Sequence, residues 1–178
     1  MKNRKILKIV LYSIGILLLF FARFFYLSNP KYVPSKNKFT ERVAYIDSEK
    51  ALLSEGFETC STIMFDYYNP ERATYSEGKN GLRKFILSNY KNKSYNESGY
   101  LHIRFIINCK GEAGCYIIHE NNLNLEPKEF NKDLVDQLFK LTTQLKKWNP
   151  NVVSGKKRDS YMYISYKIEN GNITEIIP

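Results

Sequence analysis

"GYLHIRFIINC", residues 99–109, decides how this chain is read. Leu101, Ile103, Phe105 and Ile107 alternate with His102, Arg104, Ile106 and Asn108. A period of two sends the first set to one side of a pleated strand and the second to the other. The stretch therefore predicts a half-buried strand. "KGEAG" (110–114) turns the chain, and "CYIIHE" (115–120) brings it back as a second strand.

Working toward higher numbers, Asn131 is placed to cap a helix. Leu134, Leu138, Leu141 and Leu145 recur at i, i+4, i+7 and i+11, which makes one apolar stripe. Trp148 and Pro150 close that helix. "SYMYISYKI" (160–168) is a third strand, with Met162, Ile164, Tyr166 and Ile168 on one side. Asn170-Gly171 is a type I′ hairpin signal, and "NITEII" (172–177) is its partner strand. Toward lower numbers, Leu82, Phe85, Ile86 and Tyr90 share one helical face. "TIMFDYYN" (62–69) reads as a strand, and Asp47 opens a short helix that runs to Glu55 and stops at Gly56. The expected fold is α+β: a small antiparallel sheet with helices packed on one face.

The first 27 residues differ from the rest. Residues 6–27 read ILKIVLYSIGILLLFFARFFYL, apolar on every face of a helix. Twenty-two helical residues span about 33 Å, close to the roughly 30 Å of a bilayer core. Lys2, Arg4, Lys5 and Lys8 precede or enter this run, so the positive-inside bias puts the N-terminus in the cytoplasm. The alternative is a cleaved signal peptide, but "RFFYLSNP" offers no small-x-small site. The expected organisation is an anchor over 1–27, a Pro-containing linker over 28–42 and an exported domain over 43–178.

Charge and chemistry narrow the function. The chain holds 27 Lys and Arg against 18 Asp and Glu. Five of those cations, Lys2, Arg4, Lys5, Lys8 and Arg23, lie in residues 1–27 with no acid among them, which leaves 22 against 18 for the remainder. Lys156, Lys157 and Arg158 make only a short cluster, which reads as a solvated loop, so nucleic acid is not an expected partner. Cys115 and His119 lie four residues apart on one strand, about 13 Å, too far to share a zinc ion. No nucleophile elbow or oxyanion motif appears, and His102 reads as a surface histidine. No enzyme activity, cofactor or metal is expected. Three cysteines outside an anchor allow one disulfide. Cys109 could pair with Cys115 across the turn or with Cys60, and the longer loop favours Cys60–Cys109.

The ordered set of elements resembles the C-terminal domain of TonB-type energy transducers, in their short form. The matching stretches are "YSEGKNGLRKFI" (75–86), "GYLHIRFIINCKGEAGCYII" (99–118) with Gly111 at the turn, "LVDQLFKLTTQLKKWNP" (134–150) and "GKKRDSYMYISYKIENGNITEI" (155–176). The resemblance implies an anchor in a bacterial inner membrane and a periplasmic domain. It implies docking of an outer-membrane receptor peptide by strand addition. Carried over, the docking strand would be Tyr161 to Ile168, with Tyr161, Tyr163, Ser165 and Lys167 as partner-binding residues. Ser13 would be the anchor residue facing proton-driven motor subunits. The family's anchor also carries a His, and its spacer is long and Pro-rich. Residues 6–27 contain no His, and residues 28–42 extend at most about 50 Å. A non-energised adaptor of the same fold is the alternative. "NGNITEII" is also expected to pair with the 161–168 strand, which would cap that edge.

Overall fold

The computed structural model describes Gly15, Leu17, Leu19, Phe21, Arg23, Ile46, Asp47 and residues 49–65 and 72–178. The chain divides into two compact units, Met1–Thr40 and Glu41–Pro178. In the first unit Gly15, Leu17, Leu19, Phe21 and Arg23 are helical, and Leu17, Leu19 and Phe21 are exposed. Among the described residues no helix is long and apolar enough to cross a membrane. Ser13 and most of the expected anchor lie outside the described residues.

The second unit is α+β; its described residues form eight strands and two helices in the order β1 (Thr74–Tyr75), α1 (Gly78–Asn89), β2 (Gly99–Ile107), β3 (Ala113–Asn121), α2 (Lys132–Thr143), β4 (Trp148–Asn149), β5 (Asn151–Val153), β6 (Lys156–Arg158), β7 (Ser160–Glu169) and β8 (Asn172–Ile177). Four strands make the main sheet, in the antiparallel order β3-β2-β7-β8. The alternation read from residues 99–107 holds. Leu101, Ile103, Phe105 and Ile107 are all 0% exposed, while Tyr100, His102 and Arg104 are half-buried on the opposite face.

Both helices press on the inner face. Leu82 and Ile86 of α1, and Leu134, Leu138 and Leu141 of α2, join the inward residues of β2 and β7 in one core. Asn131 caps α2 as expected, its side chain accepting from the Asp133 N–H at 2.9 Å. Leu145 is fully buried but lies beyond α2, which stops at Thr143. Trp148 seats on Phe105 and Tyr75, with ring centroids 5.4 Å away in each case, and donates its indole N–H to the Leu145 carbonyl.

Three details depart from expectation. Asp47 and residues 49–55 are not helical: Asp47 starts a turn, and Leu52 instead exchanges backbone hydrogen bonds with Tyr116 of β3. That ladder contact offers Leu52 more than an isolated two-turn helix would. Of the strand expected over 62–69, Phe65 forms a parallel bridge to Ser160, and residues 66–69 lie outside the described residues. The stretch read as a loop after Pro150 is a tight hairpin, β5 with β6. The Asn170-Gly171 turn forms as expected, with φ of 50° and 69°. A side chain at Gly171 would collide with the Tyr95 backbone.

Candidate functional site: the open face and the β8 rim

Among the described residues the outer face of the main sheet is only partly covered. Near the β3–β2 turn, Ile46, Ala51, Phe57 and Met64 pack against Ile106, Cys115, Ile117 and Tyr161. Beyond its backbone bonds, this covering segment is tied down by a disulfide and a buried carboxylate. Cys60 and Cys109 form a disulfide with Cα atoms 6.0 Å apart. The fully buried Asp159 carboxylate accepts from the Cys109 N–H at 2.7 Å and the Ser61 N–H at 2.8 Å. Cys60, Cys109 and Asp159 also bring their donor atoms within 4.8 Å of one another. In that grouping the sulfurs bond each other and both carboxylate oxygens already hold N–H groups. Cys115, the third cysteine, is a buried thiol.

Beyond the covered end, one row of side chains crosses three strands. His119 on β3 lies opposite His102 on β2, and His102 lies opposite Ser165 on β7. His102 Nδ1 and Ser165 Oγ are hydrogen-bonded at 2.7 Å. Tyr100 stacks on the His102 ring, with centroids 6.0 Å apart and planes 8° apart. Arg104 follows in the next row, opposite Tyr163. Partial burial holds the His102 pKa below its usual value, and the positive charges of Arg104 and His119 push it further down. His119 is lowered by burial first and Arg104 second. Both rings are therefore neutral near pH 7.

The four residues expected to bind a partner all lie on β7 and on its outer side, with Tyr161 under the covering segment. Their strand is not a rim. β2 flanks it along its length, and on the other side β8 pairs with it from Ser165 to Glu169. Tyr161 donates its backbone N–H to the Phe65 carbonyl at 3.0 Å. The Asn-Gly turn is the physical reason: it folds residues 172–177 back along β7. β8 therefore occupies that side of β7 from Ser165 to Glu169, so Ser165 and Lys167 meet β8 where a visitor was expected, while Tyr161 meets Phe65. Lys167 also holds the Glu169 carboxylate at 2.7 Å.

The rims are β3 and β8. On the β3 side, Leu52 pairs with Tyr116, Pro127 bridges Asn121, and the Lys128 N–H bonds the Glu120 carbonyl at 3.1 Å. On the β8 side, the contacts to the outer backbone are side-chain donors from α1. Arg83 Nε donates to the Ile176 carbonyl at 3.1 Å, and Lys79 Nζ to the Pro178 carbonyl at 3.2 Å. The Arg83 bond fixes the geometry: Ile176 turns its carbonyl away from β7. Asn172, Thr174, Glu175 and Ile177 are exposed.

Sequence reasoning missed the β8 rim as a site and the His119–His102–Ser165 row. The alternation around His102 contained the second, but strand partners were needed to place His119 and Ser165 beside it. No family model matches this chain, and neither a curated protein nor a solved structure is found to be similar to it.

Proposed function

We propose that this chain is an anchored, exported interaction module that binds an extended segment of a partner protein as an added strand on the β8 rim. The observation that carries this reading is the finish of that rim. Among the described residues its outer backbone meets side chains of α1 and no other strand. Open main-chain donors and acceptors on an edge are a template for a visiting strand. Each backbone bond formed there contributes about 1 kcal/mol, and alternating side chains set the register.

The TonB-type resemblance gives this chemistry a setting: an inner-membrane anchor, a periplasmic domain, and an outer-membrane receptor or another periplasmic protein as partner. The Cys60–Cys109 disulfide supports an oxidising compartment. The absence of a histidine in residues 6–27 favours an adaptor that works without proton-driven motor subunits over an energised transducer.

The test is purification of the full chain from membranes, beside an Ile176→Pro variant whose folding is checked by circular dichroism. Proline deletes an N–H that faces away from β7. The reading expects a partner protein to co-purify with the parent chain and to be lost from the folded variant. Equal recovery on both would reject the β8 rim. Motor subunits and a receptor in the same complex would favour energy transduction over the adaptor.

A further inference from the structure

We propose that His102 and His119 form a chelating pair for one divalent transition-metal ion, with Ser165 as the residue that orients His102. This inference rests on the open face alone and is independent of strand addition at β8.

The geometry comes first. His102 and His119 are in direct register on antiparallel neighbours, so they project from the same face. Residues so placed have Cβ atoms about 4.5–5.5 Å apart, a spacing from which two imidazoles can converge on one ion. His119 is exposed and His102 half-buried, so the pair is open to solvent.

The His102 ring is also held in place. Its Nδ1 is engaged by Ser165 Oγ at 2.7 Å, and Tyr100 stacks on its face. That leaves Nε2 as the nitrogen available for coordination. A ligating histidine ordinarily has its other ring nitrogen hydrogen-bonded, which fixes tautomer and orientation. Here Ser165 takes that part, and a hydroxyl can serve as either donor or acceptor.

Protonation also favours coordination, because burial and Arg104 keep both rings in the neutral, ligating form near pH 7. The groups around the pair limit its affinity. From β2, Arg104 contributes a positive charge, and from β7 the Lys167 ammonium is held by Glu169. No carboxylate joins the pair in the described metal-ligating groups, so water would complete the shell. Imidazole donors suit copper, nickel and zinc, and Cu2+ should bind more tightly than Zn2+.

The experiment titrates Zn2+ and Cu2+ separately into the full chain, expressed without a histidine tag. Because the chain has only two histidines, its imidazole proton resonances report the site directly for Zn2+. Calorimetry gives stoichiometry and affinity for both ions. The expected result is one ion per chain, with both histidine resonances moving together. His102→Ala and His119→Ala should each weaken binding by more than about tenfold, and Ser165→Ala by about 10–100-fold with the fold intact. Movement of only one resonance, binding that survives either histidine replacement, or no binding of either ion at millimolar concentration would overturn the proposal.

Discussion

Along β3 the sheet ends against backbone, and along β8 it ends against side chains. Leu52 and Tyr116 exchange two main-chain bonds, and residues 127–128 close the far end of the same strand. At β8 the outward Ile176 carbonyl meets a guanidinium and the Pro178 carbonyl an ammonium. A backbone bridge fixes the position of a covering segment and can be extended into a ladder. A long side chain can swing away and expose the group it held, at the cost of one solvated bond. One sheet thus has a rim that is sealed and a rim that is only latched.

The largest expected effect removes the support common to both rims. Phe105→Ala deletes a fully buried ring that stacks on Tyr116 and packs on Trp148. Urea denaturation should show a loss of about 3–5 kcal/mol. Next comes the seal itself. The Cys60–Cys109 bond closes a separation of 49 residues, so Cys60→Ser should cost about 2–4 kcal/mol. Amide exchange should quicken at Leu52 and Tyr116 well before it does in β8. Equal acceleration at both rims would mean that the covering segment does not seal β3. A smaller effect is expected at the latch. Arg83→Ala should change stability by about 1 kcal/mol, because the part-buried Ile176 carbonyl loses its donor.

The smallest effect concerns pH. His102 and His119 titrate below 6.5 in the folded chain. As pH falls, the unfolded chain binds protons at these residues first. Their contribution is therefore complete above about pH 6.5 and is lost progressively below it. The drop in urea midpoint between pH 7.5 and 5.5 should be smaller in a His102→Gln/His119→Gln double variant than in the parent. An unchanged drop would assign the pH dependence to the carboxylates.

Much of this architecture is legible in the residues. Alternation over 99–107 and 160–168, the leucine stripe of α2 and the Asn-Gly turn each encode their element through local physics. The Leu52–Tyr116 bridge was not legible, because 47–55 carries a helix-like opening that a long-range ladder contact overrides. The β5–β6 hairpin was hidden by polar residues, since its three-residue strands bury little. The candidate site was hardest to see. "NITEII" announces a strand, but whether that strand lies at the rim depends on sheet order. His119 gains meaning only from the residue across from it.

The central claim is that β8, and not β3, receives the partner. The most direct measurement places a photo-crosslinking amino acid at Thr174 of β8 or, for comparison, at Ile118 of β3, in the full chain expressed in cells. Adducts to a partner protein should form from position 174, be lost when Ile176→Pro is added, and be absent from position 118. Adducts from position 118 alone, or in equal yield from both positions, would contradict the account.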